Sequence, residues 1–110
     1  MVYGLIVKTD NSIEKVDLPA DGQKRYPVLR DAVGGMIEFF PINRTMWSPV
    51  GVKDIVCNEE YLYACEGRNA VAEEFWLRMW GKRNVVKGDV VFVVTGEKGE
   101  ALVREVAAQV

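Results

Sequence analysis

Val90-Val91-Phe92-Val93-Val94 is a run of β-branched and aromatic residues with no polar position in it. Such side chains suit a pleated strand better than a helix. An extended chain sends successive side chains to opposite faces, so this strand has no face to offer water. It predicts a central strand, buried on both sides.

The rest of the chain supplies neighbours for it. Val2 to Lys8 is mostly apolar and predicts a second well-buried strand. The turn cluster Thr9-Asp10-Asn11-Ser12 leads into Ile13 to Leu18, a shorter and more exposed strand that pairs back as a hairpin. After the turn Pro19-Ala20-Asp21-Gly22, a helix is expected over Gln23 to Val33. Pro27 belongs in its first turn, so regular helix should begin near Tyr26. Val28, Leu29, Ala32 and Val33 make its apolar face. Gly34 is a left-handed stop, and Gly35 allows close entry into a strand over Met36 to Ile42 that ends at the proline, Pro41.

Asn43 to Gly51, with Trp47 and Pro49, lacks periodicity and reads as a loop. Val52 to Cys57 is a strand, Asn58-Glu59-Glu60 a turn, and Tyr61 to Cys65 the returning hairpin partner. Asn69 caps a helix over Ala70 to Trp80. Val71, Phe75 and Met79 form one apolar row on it, and Ala72, Trp76 and Trp80 the next, which places both tryptophans in the core. Gly81 stops that helix. Lys82 and Arg83 then match its negative end. Gly96-Glu97-Lys98-Gly99 reads as a hairpin turn before a last strand, Leu102 to Ala107, with a helical turn at its end as the alternative. The expectation is one α+β domain over residues 1–110: a mainly antiparallel sheet with two helices packed on it.

Composition removes several functions. No histidine is present, so the commonest general base, metal ligand and pH switch is missing. Cys57 and Cys65 are too few for a zinc site without histidines. They are expected as reduced, small apolar residues, or facing each other across the hairpin. The net charge of −2, with scattered Lys and Arg, opposes nucleic-acid binding, which draws its affinity from phosphate neutralisation. No apolar run approaches the ~20 residues of a membrane span. The N-terminal run is too short and wrongly flanked for a signal peptide, so a cytoplasmic location is expected. No cofactor is implied.

Three places carry possible chemistry. Arg68 and Asn69 precede a helix, where free amides, a positive dipole end and a guanidinium suit a phosphate or carboxylate; capping plus a surface arginine is the plainer reading. Asn58-Glu59-Glu60, with Glu38, could hold a divalent metal or be an ordinary turn. Trp47, Tyr61 and Tyr63 could cover the apolar part of a ligand, and Trp47 is either a lid on the core or an exposed anchor.

Val33-Gly34-Gly35-Met36-Ile37-Glu38, Asn58-Glu59-Glu60, Asn69 and Gly88-Asp89-Val90-Val91 follow one another in this order. In this the chain resembles, over most of its length, a family labelled only as domain of unknown function, family 3846. Its members are encoded mostly by bacteriophages, plasmids and other mobile elements. The chain departs from many of them at Cys65-Glu66-Gly67-Arg68, where a leucine–proline pair is more usual before the asparagine. The resemblance implies no activity. It implies an accessory factor that works in the host bacterial cytoplasm by binding.

The function expected is therefore non-enzymatic. The protein would counter a host process such as antiviral defence, by binding a host protein or by sequestering a small anionic ligand such as a signalling nucleotide. The ligand-binding residues would be Arg68, Asn69, Trp47, Tyr61, Tyr63, Asn58 and Glu59. The alternative is a small metal-dependent hydrolase using Glu38, Glu59 or Glu60. Neither nucleic acid nor membrane is expected as a partner. The apolar and aromatic content predicts a homo-oligomer.

Overall fold

In the computed structural model, which describes residues 2–110 apart from the side chain of Arg44, Val90–Val94 is the middle strand of five. The strands are β1 (Tyr3–Val7), β2 (Ile13–Asp17), β3 (Ile37–Phe39), β4 (Val52–Asn58) and β5 (Val90–Val94). They lie in the order β2-β1-β5-β4-β3, and every neighbouring pair is antiparallel. All five residues of β5 are buried, because both faces of the sheet are covered.

One face carries α1 (Gly22–Val33), which lays Leu29 and Val33 on Val56, Val91 and Val93. The other carries two long helices that follow the short α2 (Arg44–Trp47) and α3 (Tyr61–Ala64). These are α4 (Ala70–Trp80) and α5 (Glu97–Gln109). Val71, Phe75, Val103 and Val106 from them meet Leu5, Val7, Ile55 and Phe92 from the sheet. Phe75 and Phe92 pack edge to face with ring centroids 4.7 Å apart, a favoured aromatic geometry. The fold is α+β, a five-stranded antiparallel sheet with helices on both faces. None of the described helices is long and apolar enough to cross a membrane.

Two expected strands are helical. Leu102 to Ala107 lies within α5, so a third long helix joins the two expected, and Gly96-Glu97-Lys98-Gly99 is its start rather than a hairpin turn. The spacing of Gly99, Val103 and Val106, all buried on one side, is helical. Gly99 is there for a close approach: a side chain on it would run into the Gly51 carbonyl. Tyr61 to Cys65 is not a hairpin partner either. β4 already bonds to β3 on one side and β5 on the other, so no edge is left for it. The segment coils into α3, whose Tyr63 and Ala64 amides donate to the Glu60 carbonyl.

Smaller corrections follow the same logic. α1 begins at Gly22, before Tyr26, because the Asp21 carboxylate accepts from the Gln23 amide at 2.8 Å and caps it there. β3 is only three residues long. Asn43 to Gly51 is largely two helical turns, α2 and the 3-10 turn Ser48–Val50. Trp80 is 42% exposed, outside the core, because it ends α4 just before the left-handed Gly81.

Candidate functional site

Two polar locks position the surface of interest. In the first, Gly34 (φ 77°) ends α1. Asn58, at the end of β4, then donates from Nδ2 to the Val33 carbonyl at 3.1 Å and accepts from the Glu60 amide at 2.8 Å. A side chain at Gly35 would stand 2.9 Å from Asn58 Nδ2, so the glycine is required by this contact. In the second, Asn69 accepts from the Ala72 amide and donates to the carbonyls of Val7 and Gly88, both at 2.9 Å. Asp89 accepts from the Thr9 amide at 3.2 Å. The segments singled out in the sequence therefore meet in pairs, and their asparagines are buried and internally bonded.

The candidate ligand residues divide accordingly. Arg68 forks onto Glu73, with Nε–Oε2 at 2.8 Å and Nη2–Oε1 at 2.6 Å, and Glu73 also accepts from the Val86 amide. The Arg68 guanidinium holds the Glu73 carboxyl below its ordinary pKa, against the opposing effect of burial. Asn69 is fully buried. Trp47 is 6% exposed with its ring 5.3 Å from Phe75; it is the lid on the core, not an exposed anchor. Asn58 is buried in the first lock, while Glu59, Tyr61 and Tyr63 follow it directly on and before α3. The structure brings Glu59 and Tyr61 beside β3, Glu59 through its amide, which donates to the Met36 carbonyl at 2.8 Å, and Tyr61 through a hollow it shares with Glu38, while Tyr63 stands in solvent on α3. It fixes Arg68, Asn69 and Trp47 to other partners.

Sequence reasoning missed what lies around β3. Met36 (53%), Phe39 (52%), Leu62 (49%) and Tyr63 (92%) are large apolar or aromatic side chains left in solvent. β3 stops short of Pro41 and is the outermost strand of the sheet. Two hollows flank β3. On the α1 face, a cavity of about 260 Å³ is lined by Tyr26, Leu29, Ile37 and Phe39 among others. On the α4 face, a cavity of about 120 Å³ is lined by Glu38, Phe40, Tyr61 and Trp76, with Cys57 beneath. Phe40 and Trp76 meet there edge to face at 5.4 Å, and the buried Trp76 Nε1 has no hydrogen-bond partner among the described residues.

Glu38, Glu59 and Glu60 have no ion pair among the described residues. Glu38 lines the small hollow, whereas Glu59 and Glu60 line another with Tyr61, Leu62 and Tyr63. Among the described residues no group of three or more His, Cys, Asp or Glu could hold a metal ion. Cys57 and Cys65 are both free, and do not face each other across a hairpin, since α3 replaces it. Burial, with the Glu38 charge adding to it, pushes the Cys57 thiol up to about 12, which leaves it without the thiolate a nucleophile needs.

Since a fold alone does not name a function, similarity to known proteins would be the other guide. The chain matches no protein-family model, no curated protein and no solved structure.

Proposed function

We propose that this is a non-enzymatic binding protein that captures a protein partner along the β3 edge and the neighbouring α3 turn. Its origin in a phage or other mobile element, and its action against a host process, rest on the resemblance described above. The observation that carries the reading is the solvent exposure of Met36 and Phe39 beside and on one short edge strand, and of Leu62 and Tyr63 on the α3 turn. Exposed aromatic and apolar side chains of this kind supply most of the energy of protein interfaces.

The alternative target, a signalling nucleotide, finds less support. Its proposed phosphate site is engaged by the Arg68–Glu73 fork and by the internal bonds of Asn69. The remaining candidates, Glu59, Tyr61 and Tyr63, line a hollow of about 360 Å³ in which the Glu59 and Glu60 carboxylates oppose an anion. The homo-oligomer finds little support at this edge too. In a symmetric antiparallel pairing centred on Glu38, each Glu38 would face its own copy, and like charges directly opposite are destabilising.

The test is capture from a bacterial lysate by immobilised wild type, Phe39→Asp and Tyr63→Asp, with Glu14→Gln on the far edge as control. A defined protein held by wild type and the control, and lost by the other two variants, is the expected result. Identical capture by all four overturns the reading.

A further inference from the structure

We propose that Glu38 and the hollow formed by Phe40, Tyr61 and Trp76 receive the cationic end of a lysine or arginine side chain, carried by an extended segment that adds to the open edge of β3. This rests on the binding reading above and names the chemistry of its partner.

The backbone sets the frame. The Phe40 amide donates to the Ile55 carbonyl and the Glu59 amide to the Met36 carbonyl. In an antiparallel pair these bonds fall on alternate residues. Ile37 and Phe39 therefore turn their amides and carbonyls away from β4, toward an edge that no strand of the sheet occupies. An extended segment completes such an edge by β-augmentation.

Side-chain alternation then decides the guest. Its residues point in turn to the two faces of the sheet. On the α1 face they meet a cavity of about 260 Å³ whose lining is mostly apolar, with Tyr26, Leu29, Ile37 and Phe39 beside the charged Arg25 and Asp54. On the other face they meet Glu38 and three aromatic rings around about 120 Å³. That space suits the tip of a side chain rather than a whole small molecule. A carboxylate without an ion pair, beside aromatic faces, attracts a cation through both its charge and the ring quadrupoles. The guest pattern is thus apolar–cationic–apolar. A second copy of this chain does not supply it at β3, whose own central residue is Glu38.

The probe is a capped hexapeptide of alternating valine and lysine, compared with one in which norleucine replaces lysine. Binding is followed by fluorescence polarisation and by amide and indole resonances. The lysine peptide should bind roughly tenfold or more tightly than its neutral isostere, the worth of one charge-assisted contact. The Ile37 and Phe39 amides and the unpartnered Trp76 indole N–H should shift. Glu38→Gln should abolish the lysine preference by weakening the lysine peptide, without lowering the norleucine peptide's affinity. N-methylating alternate peptide amides should weaken both peptides. Equal binding of the two peptides, no binding, shifts confined to the β2 edge, or a preference that survives Glu38→Gln each overturns the proposal and leaves Glu38 as a charge that guards the edge. If the lysine preference fails while Phe39→Asp still abolishes lysate capture, only the cation site falls. If the preference holds while lysate capture is unaffected by Phe39→Asp, the protein-capture reading falls instead.

Discussion

The side-chain amide of Asn58 bonds to the Val33 carbonyl across 25 positions of sequence and fastens the end of β4 to the end of α1. Gly35 passes so close to that amide that a Cβ would sit 2.9 Å from it. Asn58→Ala should cost ~1–3 kcal/mol, because it leaves a buried acceptor and the Glu60 amide without partners. Gly35→Ala should also destabilise, but by less when Asn58 is already alanine, since the clash has gone. Urea titration of the two single variants and the double variant gives the coupling energy. Strict additivity would refute the contact.

Asn69 should be worth more than an ordinary cap. It satisfies two carbonyls and one amide in a fully buried place. A surface cap is worth ~1 kcal/mol. Asn69→Ala should cost ~3 kcal/mol or more, because several buried groups lose partners at once. A loss within the ordinary capping range in urea denaturation would show that water replaces those bonds.

The tryptophans should separate by burial. Trp47→Ala should cost ~3–5 kcal/mol, as deletion of a buried aromatic does, because Trp47 packs against Phe75 and is almost wholly covered. Trp80→Ala should cost under ~1.5 kcal/mol, since the side chain is 42% exposed at the end of α4. Thermal or urea unfolding of the two variants compares them directly, and the reverse order would contradict the packing described.

Acid and alkali should both act on the Tyr3–Glu100 bond, 2.6 Å long. The Tyr3 hydroxyl, helped by Arg104, holds the Glu100 carboxyl down to about 2 from its ordinary 4.5. A depressed carboxylate contributes stability above its ordinary value, and that contribution is lost as pH falls from about 4.5 toward 2. Glu100→Gln should flatten stability against pH in that window. The hydrogen bond to Glu100, and then burial, raise Tyr3 from 10.0 to about 12. Its contribution is complete below pH 10 and is lost as pH rises toward 12. Tyr3→Phe should flatten both limbs. An unchanged acid limb in Glu100→Gln would mean that other carboxylates control it.

Much of the architecture was written in local pattern. The apolar run of β5, the hairpin of β1 and β2, the Gly34 stop and the Asn69 cap each follow from residues close in sequence, because strand burial and helix ends are set by side-chain pattern and caps. The errors came where competition was spatial. Tyr61 to Cys65 has the composition of a strand, but both edges of β4 were already taken. Leu102 to Ala107 has β-branched residues, but the face of the sheet above Gly51 needed a helix that could approach through Gly99.

The candidate site was legible only in part, for a related reason. Sequence alone identified Asn58, Glu59, Tyr61, Tyr63 and Glu38 as residues to watch, since polar and aromatic clusters at turns stand out against apolar periodicity. It also determined that the chain has no histidine to do chemistry with and that β5 must lie inside. Which carboxylate lacks an internal partner, which tryptophan is covered, and which edge remains open were decided by tertiary structure. Burial and pairing depend on contacts between segments far apart in the chain, as between Glu38, Tyr61 and Trp76 around one hollow, and no local pattern encodes which segments meet there.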